Sequence, residues 1–472
     1  MSLTDLTLFE ATKAVVKGEV TSLDLVESTL NRIDAVDPKL NAFIRVEADT
    51  ARSEAAEIDQ ARAAGKNLGP LAGVPLAHKD MYYRAGGLTT CGSKIRKDFR
   101  PTVTSTALAR LKTDGAVYLG GLNMAEFAFG PTGHNEHFGA CRNPWDPSRI
   151  TGGSSSGSGS ATAARMTFGA LGSDTGGSIR LPAGLCGIVG MKPTQTRVSR
   201  FGVMGLSFSL DNVGPLTRTV LDNALMLASI AGYDPEDPTS ATVPVDDYVG
   251  AAQSPSCNGI RIGVARGYFE KDADAAALTA RDEALAAFKS AGAIIVETDA
   301  GNLDDVKAIN ALSALTMGPE AATLHAHWLK TCRDDYGAQM RARCEPGFQY
   351  SGVDYLSALQ LRPKVVEDFI QRVFSDCDFL LAPTFNVETP TIEETDVLDH
   401  QGFEAVIARI SQCTRPFNYL TLPSLALPTP SFVAGMPGSI QVVGAPFTEA
   451  RIYQAAAAYE VEAGYTERSP SL

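Results

Sequence analysis

From Gly69 onward the sequence is assembled from short apolar runs broken by glycine and proline: LAGVPLAHKD, GAVYLGGLNM, TFGALGSDTGG and GLCGIVGMKP. Each has the length of a buried strand, and helical stretches such as Ser105 to Asp114 lie between them. Strands apolar on both sides need cover on both faces, which alternating helices supply. The pattern therefore predicts an α/β protein: a single α/β/α domain with a large mixed β-sheet core flanked by helices. Asn258 to Thr298 repeats the theme as strand RIGVARG, a helix around Ala275 to Ala291, and strand AIIVET. After Asp376 the runs FLLAPTF, LPSLALP and GSIQVVG return to core strands.

The first 65 residues read instead as helices. Leu8, Ala11 and Val15 share a face up to Gly18. Thr21 and Asp24 resemble a capping box ahead of Leu23, Val26, Leu30 and Ile33, a helix expected to end at Pro38. An Ala-rich helix follows from about Glu47 to Ala64. No repeat or linker divides the 472 residues. The expected boundaries are a helical arm (1–65), a core bearing the chemistry (66–230), a mostly helical variable insertion (231–375) and a core completion (376–472).

With 41 basic and 54 acidic side chains the chain carries a net charge of −13, which disfavours non-specific binding to nucleic acid or anionic lipid. The 66–230 segment departs from this, with 17 basic and 9 acidic residues, net +8. The eight cysteines form no C-x-x-C unit, so neither a zinc site nor a disulfide scaffold is expected. With no signal-like N-terminus and no spanning apolar stretch, the expectation is a cytoplasmic protein.

The most unusual segment is Thr151 to Ser160, TGGSSSGSGS. It opens a stretch, Gly152 to Gly205, that holds 13 of the 43 glycines in 54 residues. A flexible linker, a phosphate loop and a nucleophile loop are the alternatives. The phosphate loop fails because no Lys-Ser or Lys-Thr closes the glycine run. A nucleophilic serine needs a base, yet His78, His134, His137, His325, His327 and His400 stand in no recognisable order around it. A lysine kept neutral by burial is the other option, and Lys79 ends an apolar run.

The order Gly73-Val-Pro-x-x-x-Lys79-Asp80, Asn143-Pro-Trp-Asp146, Gly152-Gly-Ser-Ser155, Gly172-Ser-Asp-Thr-Gly-Gly-Ser-Ile-Arg180 and Gly190-x-Lys-Pro-Thr194 resembles the amidase signature family. The spacings agree, with 75 residues from Lys79 to Ser154 and 24 more to Ser178. The likeness continues through Leu210-Asp-Asn-Val-Gly-Pro215 and Leu422-Pro-Ser-Leu-Ala-Leu-Pro428. It implies a Ser–cis-Ser–Lys triad: Ser178 as nucleophile, Ser154 as bridge on a cis peptide after Gly153, and Lys79 as base. It also implies an oxyanion hole from the N–H groups of Thr175, Gly176, Gly177 and Ser178. Asp174 and Arg180 would brace that loop, and Ser155 would hydrogen-bond behind it. Asp80 should point away from Lys79, because a paired carboxylate would keep the amine charged. Ser156 and Thr196 stand where the family usually has glycine.

The resemblance implies an amidohydrolase using a serine acyl-enzyme and neither metal nor organic cofactor. The first expectation is a homodimer acting alone on a small-molecule amide, with no nucleic acid and no membrane. The alternative is the ammonia-releasing (A-type) component of a tRNA-dependent amidotransferase, which Thr89-Thr-Cys-Gly-Ser-Lys94 also resembles. That subfamily's glutamine-holding features are not recognisable in Ser351 to Pro363 or Gly402 to Leu420. Phe127 and Phe129 are the candidate acyl-pocket residues, with Trp328, Tyr336 and Tyr355 on the opposite wall.

Overall fold

A computed structural model of the chain describes residues 2–397 and 403–472. His400, one of the candidate bases, lies outside the described residues. Eleven strands form one mixed sheet in the order β1-β3-β2-β4-β6-β5-β10-β11-β9-β7-β8. They are β1 (Phe43–Val46), β2 (Pro75–Lys79), β3 (Val117–Leu122), β4 (Gly169–Asp174), β5 (Val189–Lys192) and β6 (Asn212–Thr217). Then follow β7 (Arg261–Val264), β8 (Ile294–Glu297), β9 (Phe379–Pro383), β10 (Ser424–Val433) and β11 (Met436–Gly444).

Strands β3, β2 and β4 run parallel, with Ala77 opposite Ala170 and His78 opposite Leu171. Both faces are buried. Leu76 and Leu171 join one apolar cluster, while their neighbours Ala77 and Ala170 join another with Val26, Ile33 and Ala161. Successive side chains on a strand point to opposite faces, so Lys79 shares the face of Ala77. Parallel neighbours end on the same sheet edge, where ligands of open α/β sheets collect. Lys79 at the end of β2 and Asp174 at the end of β4 are brought together in this way.

The 1–65 segment packs on its own domain. Its helices Leu8–Lys17, Ser22–Leu40 and Ala48–Ala63 bury Leu8, Val15, Val26, Leu30 and Ile33 within the chain. The second helix runs through Pro38 to Leu40 and ends at Asn41 in left-handed backbone. β1, unread in the sequence, pairs antiparallel with β3. The 231–375 segment is largely helical, through Leu303–Thr331 and Gly352–Phe374, but it also donates β7 and β8 to the sheet. It is therefore part of the core layer as well as an insertion.

Candidate active site

The Gly/Ser run is no linker. Ser156–Ala163 is a helix whose residues are all buried. A Cβ at Gly157 would sit 2.2 Å from the Ala42 carbonyl oxygen and 2.6 Å from the Asn123 nitrogen, so only glycine fits. Asn143 fixes the approach to this run by donating its amide to the carbonyls of Ile150 and Leu185, both at 2.9 Å. The Gly153–Ser154 peptide is cis.

Lys79 is fully buried, and its Nζ donates to Ser154 Oγ at 2.6 Å and to Ser173 Oγ at 2.8 Å. Burial pulls its pKa down from 10.5 to about 7, and the carboxylates of Asp211 and Asp174 only partly oppose this. The Asp80 carboxylate is turned away, accepting from the Thr90 N–H at 2.8 Å and hydroxyl at 2.5 Å and pairing with Arg45 at 3.3 Å. Lys79 thus lacks the adjacent counter-charge that would hold it protonated.

Ser178 stands between β4 and the short helix Arg180–Leu185 and is partly exposed. Its hydroxyl has no hydrogen-bond partner among the described residues, so the step from Ser154 to Ser178 is not closed by a direct bond. Ser155 ties the two segments together. Its N–H donates to the Ser178 carbonyl at 3.3 Å, its Oγ donates to the Ser173 carbonyl at 3.3 Å, and that Oγ accepts from the Ser173 N–H at 3.3 Å.

The loop after β4 is organised around Asp174. Its carboxylate accepts from Arg180 Nε and a terminal guanidinium nitrogen, both at 3.0 Å, and from Asn418 Nδ2 at 2.9 Å. Burial works to raise this carboxyl, but the Arg180 guanidinium overrides it and holds the pKa well below the usual range. The same carboxylate takes the Gly177 N–H at 2.7 Å. This corrects the four-donor oxyanion hole: Gly177 is committed to Asp174. The N–H groups of Thr175, Gly176 and Ser178 have no acceptor among the described residues and are free to meet a developing oxyanion. Gly177, at φ +132°, also leaves room for Thr414, whose Oγ1 would lie 2.3 Å from an added Cβ.

Several residues around this loop were not singled out in the sequence. Ser173 is the second acceptor of Lys79. Asp211, inside the Leu210–Pro215 motif, accepts from the Thr175 hydroxyl at 2.5 Å. Thr414 donates to the Gly176 carbonyl at 2.7 Å. Thr414 and Asn418 flank Arg415 in a Thr-Arg-Pro-Phe-Asn string, and the polar residues ahead of the late Leu422-Pro run were the available signal.

The two phenylalanines part company. Phe129 lines a cavity of about 260 Å³ together with Met317 and Arg415. Phe127 is 1% exposed and packs against His325, Trp328 and Tyr336, so it belongs to an aromatic core cluster. Trp328 and Tyr336 pack on Phe127 and do not form an opposite wall, while Tyr355 donates to Glu320 at 3.0 Å. None of the described histidines bonds to a serine of this site; burial beneath Tyr118 pushes His78 down to about 4. All eight cysteines are free thiols. Among the described residues no group of three or more His, Cys, Asp or Glu side chains is gathered as a metal site.

The family profile named Amidase matches residues 24–453. The chain belongs to the amidase family. A curated relative from Moorella thermoacetica, named as the A subunit of glutamyl-tRNA(Gln) amidotransferase, is 39% identical over 497 residues, covering 100% of this chain and 99% of its own. Among solved structures, one described as a vestigial protein complex revealing the origins of an s-triazine catabolic enzyme superposes with a TM-score of 0.89. It is 34% identical over 97% of this chain and 98% of that one. The A subunit of the Thermotoga maritima glutamyl-tRNA(Gln) amidotransferase superposes with a TM-score of 0.79, at 30% identity over 100% of this chain and 96% of that one.

These relatives overturn the expectation of a homodimer acting alone on a small-molecule amide without nucleic acid. Full-length amidase relatives are named as one subunit of an enzyme whose name carries a tRNA. A net charge of −13 bears only on non-specific binding by the chain itself. The apolar residues Leu8, Val15, Val26, Leu30 and Ile33 of the N-terminal helices are already covered by their own chain. Among the described residues no helix is long and apolar enough to cross a membrane.

Proposed function

We propose that this amidase hydrolyses a carboxamide through an acyl-enzyme on Ser178 and serves as the ammonia-releasing subunit of a tRNA-dependent amidotransferase. The observation that carries the chemistry is the buried Lys79 amine, 2.6 Å from Ser154 Oγ and out of reach of the Asp80 carboxylate. An amine with a pKa near 7 can accept a proton at neutral pH. Ser178 Oγ attacks the carbonyl carbon, and its proton passes through Ser154 to Lys79. The N–H groups of Thr175, Gly176 and Ser178 hold the oxyanion, while Asp174, Arg180 and Ser155 keep their loop in register. Ammonia leaves with the proton returned along the same relay, and water then cleaves the acyl ester. The full-length likeness to proteins named as the A subunit of an amidotransferase supports this role.

The test has two arms. A fluorophosphonate probe should label Ser178 in the wild type and leave Ser178→Ala unlabelled. Ammonia release from glutamine should rise when the chain is joined by its co-expressed partner subunits and glutamyl-tRNA(Gln). Labelling retained in Ser178→Ala overturns the nucleophile. Fast hydrolysis of simple amides by the chain alone, without preference for glutamine, overturns the subunit role.

A further inference from the structure

Arg415 sits beside the oxyanion loop with its charge unanswered. Among the described residues its guanidinium makes no hydrogen bond and no ion pair, and the titratable group facing it is the Tyr268 phenol. The neighbouring arginines are different. Arg180 is shared between Asp174, Asn418 and Gln441, and Arg362 donates to Tyr419 O, Ser209 O, Asn418 O and Gln195 Oε1 at 2.7 to 3.0 Å. Arg415 is nonetheless largely withdrawn from water, and burial works against its charge. A cation desolvated without a partner is costly, and such groups persist where a ligand supplies the counter-charge.

Its position identifies the ligand. Thr414, the preceding residue, holds the Gly176 carbonyl at 2.7 Å, so Arg415 is registered to the loop. A Cβ at Gly176 would lie 3.4 Å from Arg415 Cγ and 4.0 Å from Met317 Cε. Both of those side chains line the cavity of about 260 Å³ that also exposes Phe129, Tyr350 and Ile407. Among the described residues no carboxylate lines it, and its second cation, Arg343, lies over the Phe129 ring at 4.8 Å. A separate cavity of about 240 Å³ opens on Ser173, the partner of Lys79, and shares no lining residue with the first. The leaving amine must face the Lys79 side to collect its proton, which gives the Arg415 cavity to the acyl chain.

We propose that Arg415 binds a carboxylate carried by the acyl part of the substrate, restricting this amidase to monoamides of dicarboxylic acids, amino-dicarboxylates such as glutamine included. Arginine suits this task because its planar fork meets a carboxylate with two parallel N–H donors. The assignment rests on the amide-hydrolase reading above and deepens it by naming the substrate class.

The experiment compares kcat/KM for glutaramate with that for pentanamide, which lacks only the carboxylate, on the full chain. The wild type should favour glutaramate at least ~100-fold, the size of a buried charge-assisted pair, mainly through KM. Arg415→Met should bring the ratio close to one, and Arg415→Lys should retain part of it, with circular dichroism confirming that both variants fold. A wild type indifferent to the carboxylate, or a ratio unchanged in Arg415→Met, overturns the proposal while leaving the hydrolase reading intact. If the chain alone cleaves neither amide, as a subunit without its partners would, calorimetry with glutarate decides about Arg415. Glutarate binding by the wild type that is lost in Arg415→Met upholds the site; binding equal in both, or absent from both, overturns it.

Discussion

Replacing Lys79 by methionine should abolish turnover and, at neutral pH, make the protein more stable. The side chains are similar in volume and Lys79 is fully buried, so the exchange is close to isosteric. Lys79 titrates at about 7 in the folded chain against 10.5 for a free lysine. Below both values the folded state carries the full burden of a buried cation, about 5 kcal/mol for a difference of about 3.5 pKa units. As pH rises from 7 to 10.5 the unfolded chain holds a proton that the folded chain has released, and the burden shrinks by about 1.4 kcal/mol per pH unit. Methionine removes it but also removes the hydrogen bonds to Ser154 and Ser173, which offset about 1–3 kcal/mol together. The net expectation is a gain of about 2–4 kcal/mol at pH 7, vanishing by about pH 9.5. Equilibrium urea denaturation of both proteins at the two pH values measures it. Lys192, a second buried lysine lowered to about 7, is common to both and cancels. A variant less stable than wild type at pH 7, or a difference that does not change with pH, would refute the argument that desolvation alone tunes Lys79.

Three further outcomes are expected. The pH profile of kcat/KM should rise to a plateau with its midpoint near 7, because Lys79 accepts a proton only when neutral, and a profile flat from about pH 6 to 9 removes it as the base. Thr414→Val deletes the donor to the Gly176 carbonyl, so kcat should fall about 10- to 100-fold with a loss of about 1–3 kcal/mol in stability, both read by steady-state kinetics and denaturation. Thr196 holds φ at +77°, a region that costs a β-branched residue about 1–2 kcal/mol. Thr196→Gly should therefore stabilise the protein by up to about 1 kcal/mol in urea, after the entropy lost by glycine.

Some of this was legible in the residues themselves. The run Gly73 to Lys79 is apolar until His78 and Lys79 close it, so a strand with a buried amine at its end follows from local chemistry, and the structure places it inside an eleven-stranded sheet. The β7–helix–β8 unit was read for the same reason: its apolar runs and its helix are local patterns. By contrast, β1 is four residues whose strand state comes from pairing with β3, and Pro38 is carried inside a helix by the packing of Val36 and Leu40. Neither fact is local.

The site divides in the same way. The resemblance to the amidase signature family implied Lys79, Ser154, Ser178, Asp174 and Arg180, because each lies in a string whose order and spacing can be matched without any knowledge of contacts. Tertiary structure decided which N–H groups stay free, since the loss of Gly177 to Asp174 depends on where one carboxylate points. It decided that Phe127 is core and Phe129 faces a cavity, although both belong to one short string. And it brought Thr414, Arg415 and Asn418 from far along the chain to the loop after β4. Whether a cation there meets a counter-charge is a matter of distances in space, which the order of residues does not encode.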